Sequence, residues 1–244
     1  MKIKRLPLLL ATLILLFAGC QPKKYANSDK IEQRLVYQQY SAVYYAGEES
    51  LVVFADFYEN NPTGTSVRLV KPSSISLNDS PMSILKNDDI EIVGKSRNKD
   101  IVSYHYSGNG KLPLSLRFNY INNDKVSYQN EFVISTIEPK VAAAKISKQS
   151  GVSIAYNGSA FSDNEQLYFS LWRKDGKEFD LYPLDMPEQG KIFIYPEDII
   201  DVENGEYDLH FHRFSYSSDI KGSERGGSME GEYVSKKMKI TIVE

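Results

Sequence analysis

One cysteine in 244 residues leaves no partner for a disulfide, so the fold must be held by packing alone. The chain has a single tryptophan, Trp172, and three histidines, His105, His210 and His212, a thin supply of metal ligands. Positive charge is not in surplus. With 29 basic and 32 acidic side chains the formal net charge is −3, which speaks against a phosphate-tracking surface and so against a nucleic-acid partner. No Gly-x-Ser-x-Gly elbow, phosphate-binding glycine loop, dinucleotide fingerprint or His-Glu-x-x-His segment occurs. The longest apolar run, residues 6–18, is short of the roughly 20 residues that cross a bilayer comfortably. A content of 41% hydrophobic and 12% aromatic residues excludes a disordered chain, and 15 glycines exclude a collagen.

Lys2, Lys4 and Arg5 precede that apolar run, and small residues close it, the pattern of a secretory signal. Its last four residues, Phe17-Ala18-Gly19-Cys20, resemble the lipobox of bacterial lipoproteins, with Phe17 standing where leucine is usual. The resemblance implies that residues 1–19 are removed and that Cys20 carries acyl chains as the new N-terminus. Each buried CH₂ contributes about 0.8 kcal/mol to membrane attachment, so several chains anchor firmly. Gln21, where aspartate would retain a lipoprotein at the inner membrane, implies the outer membrane of a two-membrane envelope. Removing 1–19 leaves 26 basic against 32 acidic side chains, a net of −6, which argues against a polybasic second membrane contact. Polar residues 20–33 read as a tether.

From Leu35 onward hydrophobic residues recur with period two. Leu114, Leu116, Phe118 and Tyr120 alternate with polar residues, as do Val126, Tyr128, Phe132 and Ile134. Residues 50–58 are nearly all apolar and fit a central strand covered on both faces. Residues 74–77 and 80–84 around Asn78-Asp79 read as a hairpin. Further strands are expected at 89–93 and 100–106. Glu138-Pro139 breaks the pattern near the middle of the mature chain, giving expected domains of 34–138 and 140–244. In the second half, strands are expected at 140–147, 151–158, 166–173, 178–182, 191–195, 206–214 and 230–243. A hairpin is expected at 174–177 and a helical turn at 196–200. Phe132, Ile134 and Glu138 align with Met238, Ile240 and Glu244 at a constant offset of 106 residues.

The second half resembles an immunoglobulin-like domain, with Trp172 in a third strand and Asn204-Gly205-Glu206-Tyr207 leading into a sixth. The resemblance implies that the Tyr207 hydroxyl bonds nearby backbone. It makes the expected fold all-β, two tandem immunoglobulin-like sandwiches, without the antibody-type disulfide.

Chemistry is sparse. His210 and His212 lie two apart on one strand and share a face with Asp208, an arrangement open to a metal-dependent hydrolase if a neighbouring strand adds a ligand. The plainer alternative is a solvated polar face opposite Tyr207, Leu209 and Phe211. The acidic turns at 87–89 and 162–165 suit Ca²⁺ or ordinary turn chemistry. Tyr37, Tyr40, Tyr44 and Tyr45 cluster early and suit either a binding platform or half-buried strands. Residues 215–228 form the longest irregular stretch; Tyr216, Ile220 and Arg225, beside His210 and His212, are its candidate contacts. The expected function is a lipid-anchored, non-catalytic envelope module that binds a protein or glycan. No catalytic residue, cofactor or metal is assigned, and a structural spacer is the third alternative.

Overall fold

The computed structural model describes residues 25–85, 101–173, 182–187 and 190–244. The signal segment, Cys20, the acidic turn at 87–89, the strand at 89–93 and the hairpin at 174–177 lie outside those residues. What is described is mostly strand, as the alternation requires.

The first half contributes β1 (Tyr25–Asn27), β2 (Val36–Tyr45), β3 (Ser50–Glu59), β4 (Ser66–Arg68), β5 (Ser74–Leu77), β6 (Ser80–Pro81), β7 (Ser83–Ile84), β8 (Ser103–Asn109), β9 (Leu116–Ile121) and β10 (Ser127–Phe132). The second contributes β11 (Ile137–Pro139), β12 (Ala143–Ser147), β13 (Val152–Gly158), β14 (Glu165–Trp172), β15 (Tyr182–Leu184), β16 (Lys191–Ile194), the helical turn α1 (Pro196–Ile199), β17 (Gly205–Ser217), β18 (Gly227–Val234) and β19 (Met238–Val243).

Alternation sorts the early tyrosines. Val36, Gln38, Tyr40, Ala42 and Tyr44 point into the core from β2, whereas Tyr37 and Tyr45 point away. β3 is buried on both faces along its middle eight residues. Opposite lies a four-stranded sheet, β10-β9-β5-β6, whose Leu116, Phe118 and Tyr120 meet the first sheet. Tyr40 stacks on Phe118 at 4.3 Å and Phe57 lies 4.7 Å from Tyr120. A ring buried this way contributes on the order of 2–3 kcal/mol. The hairpin at 74–81 turns through Asn78 and Asp79, both at positive φ. Part of the expected tether, residues 25–33, belongs to the fold. β1 pairs with β4, and the Val70 amide donates to the buried Ser28 hydroxyl at 2.9 Å.

The expected boundary at Glu138-Pro139 falls inside a continuous structure. One sheet runs β1-β4-β3-β2-β18-β17-β14-β15, with β8 also against β3 and with β19 and β12 alongside the start of β17. β2 lies parallel to β18 from Gln38 opposite Gly227 to Tyr45 opposite Val234, so strands from both halves share the sheet. The cause is the length of β17. At about 3.3 Å per residue its 13 residues far exceed one sandwich edge. Its first part pairs with β19 and its last part with β18. The free edge of β18 is then taken by β2. Residues 137–139 form β11 against β13, with Ile137 fully buried and Glu138 accepting a 2.6 Å bond from the Tyr233 hydroxyl.

In the second half the sheet β11-β13-β16 faces β12, β19, β17, β14 and β15. Ile154, Ile192 and Ile194 meet Leu167, Phe169, Leu209 and Phe211 in the core. The Tyr207 hydroxyl donates to the Glu203 carbonyl at 2.7 Å, the backbone bond implied by the sequence resemblance.

Inside this core lies a charge that the alternation left unexplained. Arg213 is 0% exposed and uses all its donors. Its Nε and Nη2 bond the Glu165 carboxylate at 3.2 and 2.6 Å. The remaining N–H groups reach the carbonyls of Thr136, Ser159 and Ala160 at 2.9–3.0 Å. Phe161 covers the guanidinium at 3.9 Å. Burial pushes the Glu165 carboxyl up, but the Arg213 guanidinium and the Ser162 amide outweigh burial and hold it at about 2, against 4.5 ordinarily. A folded value below the unfolded one stabilises above about pH 4.5, and that stability is lost as pH falls towards 2. Urea midpoints should therefore drop between pH 5 and pH 3 more steeply in the wild type than in Glu165→Gln; equal slopes would contradict this assignment.

Candidate functional site

The outer face of the large sheet carries the site. Side chains two apart on a strand share a face, and register aligns them across strands. Trp172 on β14 stands opposite Asp208 on β17, Asp208 opposite Lys239 on β19, and Lys239 opposite Ala143 on β12. At about 4.8 Å per strand this row is about 14 Å wide. The next row is Glu206, Thr241 and Lys145. Together they line a groove of about 700 Å³. Trp172 forms one flank and is 39% exposed. Asp208 sits between two ammonium groups, paired with Lys239 and 3.6 Å from Lys237. Partial burial opposes its charge, but Lys239 and then Lys237 more than offset this and hold its carboxyl below the usual range.

Along the same face from the groove comes a hydrogen-bonded chain. The Trp172 indole N–H donates to Ser170 Oγ at 3.3 Å. Ser170 Oγ lies 2.8 Å from His212 Nε2, and His212 Nδ1 lies 2.8 Å from Glu232 Oε1. Beyond it runs an aromatic ladder. Tyr168 packs edge-on to Phe214 at 5.4 Å, and Phe214 stacks with Tyr216 at 6.4 Å.

The Ser170–His212–Glu232 distances are those of a nucleophilic triad, a juxtaposition no sequence pattern indicated. Ser170 is only 2% exposed, however, and its oxygen already accepts the indole N–H. The adjoining β17 backbone is laddered by β14 along one edge; along the other it pairs with β19 up to Leu209 and with β18 from His212, and between them the Phe211 amide donates to Ser235 Oγ at 2.9 Å. An oxyanion hole needs backbone donors free to face the reacting atom, and ladder bonds occupy them.

The metal-hydrolase alternative fails on geometry. Asp208, His210 and His212 share a face as expected, but each is tied to a different neighbour. Asp208 holds lysines, His210 Nδ1 lies 3.0 Å from the Ser235 carbonyl, and both His212 nitrogens are engaged. Among the described residues no group of three His, Cys, Asp or Glu side chains is disposed around a common metal position. His105 lies on β8, across the sheet beyond β3. The acidic turn at 162–165 is ordinary turn chemistry, with Ser162 bonding Asn164 at 2.6 Å and Glu165 turned inwards to Arg213.

The 215–228 segment is less irregular than its composition suggests. Ser215, Tyr216 and Ser217 belong to β17, and the irregular part is pinned to the first half. Asn130 of β10 brackets Lys221, donating to its carbonyl at 2.9 Å and accepting from its amide at 2.7 Å. Ser223 Oγ bonds the Val36 carbonyl, the Gln38 amide donates to Gly226 at 3.2 Å, and Arg34 pairs with Glu224 at 3.1 Å. The partners come from a part of the sequence nearly a hundred or more residues earlier, so nothing local announced them. Ile220 is half-buried against the core and Arg225 is exposed; of the expected contacts, only Tyr216, His210 and His212 join the outer face. Asn130→Ala leaves both Lys221 backbone groups without their partners. It should cost about 1–3 kcal/mol in chemical denaturation; an unchanged midpoint would show that the loop is not a clamp.

Trp172, Lys239, Ser170 and Glu232 were missed from sequence, although parity held a signal for Trp172. Leu167, Phe169 and Leu171 face the core, so Trp172 shares its parity with Gln166, Tyr168 and Ser170 on the outer face.

No protein-family model matches the chain, and no curated protein matches it. Among solved structures it is similar to the Bacteroides ovatus mixed-linkage glucan utilization locus SGBP-B in complex with a mixed-linkage heptasaccharide, at 11% identity and a TM-score of 0.21. The match covers 81% of this chain and 53% of that one, so the chain spans about half the length of that structure.

Proposed function

We propose that the protein is a lipid-anchored, non-catalytic glycan-binding protein of the bacterial envelope, and that the groove beside Trp172 is its sugar site. One observation carries the reading: the only tryptophan of the chain stands out of the core at the flank of a groove whose floor is the Asp208–Lys239 pair. A sugar ring offers an apolar C–H face and a rim of hydroxyls. An indole supplies flat apolar area at low entropic cost, and fixed charged groups supply directional hydrogen bonds to the rim. The enclosed Ser170 favours binding over acyl transfer. In this reading the second half is an immunoglobulin-like sandwich, with β11, β13 and β16 as one sheet and β12, β19, β17, β14 and β15 as the other.

Calorimetric titration with a panel of neutral and acidic oligosaccharides tests the site. Binding that is lost in Asp208→Ala and Lys239→Ala, with the fold intact, supports it; full affinity in both variants removes the groove from consideration.

The anchor rests on Cys20. No helix of the described residues is long and apolar enough to cross a membrane, and lipid on Cys20 is the attachment proposed instead, at the outer membrane. Cys20→Ser should abolish incorporation of labelled fatty acid and release the protein from the membrane fraction. Labelling that persists in the variant would refute it.

A further inference from the structure

We propose that Glu232, His212 and Ser170 are positioning residues, forming a one-way hydrogen-bond chain across β18, β17 and β14 that fixes the Trp172 indole at the flank of the groove. Its use in sugar binding rests on the reading above; the chain itself rests on geometry alone.

The direction of the chain is set by its two ends. An indole N–H can only donate and a carboxylate can only accept. Glu232 therefore requires the His212 proton on Nδ1, at 2.8 Å. That leaves Nε2 as an acceptor, so the Ser170 hydroxyl donates to it, also at 2.8 Å. The oxygen of that hydroxyl then has a lone pair for the Trp172 N–H at 3.3 Å. With a neutral imidazole no other proton arrangement satisfies all three links. Ser170, His212 and Glu232 are nearly enclosed, so water competes little for these bonds.

The titratable and charged groups facing His212 are His210 on its own strand, Tyr168 from β14 and Glu232 from β18. Asp208 with Lys237 and Lys239 lies further along the same face. His210 is held separately by the Ser235 carbonyl, which makes it a control rather than a member of the chain.

Because Trp172 is the only tryptophan, its emission reports the chain in the full protein without any sugar. At pH 7.5 His212→Leu, which removes the acceptor of the Ser170 proton, should raise the acrylamide quenching constant of Trp172. His210→Gln, outside the chain, should quench like the wild type. At pH 7.5 Ser170→Ala should raise the quenching constant about twofold through loss of the indole's bond, and Ser170→Thr, which keeps the hydroxyl, should restore it. Circular dichroism establishes that each variant keeps its β fold; if His212→Leu does not fold, the Ser170 pair decides. The proposal is overturned by His212→Leu quenching like the wild type, by a change that follows His210→Gln instead, or by Ser170→Ala quenching like the wild type. None of these readouts uses a glycan, so failure of the chain and failure of the sugar site are separable.

Discussion

Arg213→Ala should destabilise the protein by about 3–5 kcal/mol, the cost of leaving a buried charge without its partner. Three carbonyls and the Glu165 carboxylate lose their donors at once, in a buried site covered by the Phe161 ring. The carbonyls belong to Thr136, Ser159 and Ala160, so the effect extends from the β14–β17 pair to the segments entering β11 and leaving β13. Replacing both charges, as in Arg213→Met with Glu165→Leu, should recover much of the loss, because well-packed apolar groups often match or exceed a buried ion pair in stability. Denaturant unfolding of the two single variants and the double variant measures this. A single variant within about 1 kcal/mol of the wild type would mean that the pair is not the hub described.

Trp172→Ala should weaken glycan binding by more than tenfold while leaving stability nearly unchanged. A tryptophan at the centre of a contact is typically worth about 2 kcal/mol or more on truncation, and each 1.4 kcal/mol is about a factor of ten. Its side chain is 39% exposed and stands outside the core, so little packing is lost. Trp172→Phe keeps a flat ring and should recover part of the affinity. Calorimetry reads both variants; equal affinity in the wild type and Trp172→Ala would remove the platform from the account.

The strands were legible because a half-buried strand writes its face into the sequence. Leu116, Phe118 and Tyr120 are inward in the structure as alternation required, although Leu114, expected on the same face, lies before the strand and is exposed; residues 51–58 are buried on both faces as their nearly continuous apolarity required, Asp56 included. Parity also carried two signals that a reading by residue type passes over. Trp172 falls on the outer parity of β14, and Arg213 falls on the inner parity of β17 with Leu209 and Phe211. A charged residue on a core parity demands a buried partner, and Glu165, sharing inner parity with Leu167 and Phe169, was the available one.

What was not legible is what depends on strands far apart in sequence. Parallel pairing of β2 with β18 has no turn to announce it, and the halves had therefore been expected as separate sandwiches. The 106-residue offset likewise aligns Phe132 with Met238, yet β10 sits at the edge of the four-stranded sheet while β19 lies inside the large one. The Ser170–His212–Glu232 chain runs diagonally across three strands, so it exists only once register is fixed.

The most direct test of the central claim is the emission of Trp172 in the mature wild-type chain during titration with oligosaccharides. A sugar stacked on the indole excludes water from it, so a saturable blue shift with protection from acrylamide is expected for at least one oligosaccharide, at the same midpoint as calorimetry. Calorimetric binding that leaves the emission and quenching of Trp172 unchanged would contradict the account, because the sugar would then lie away from the groove.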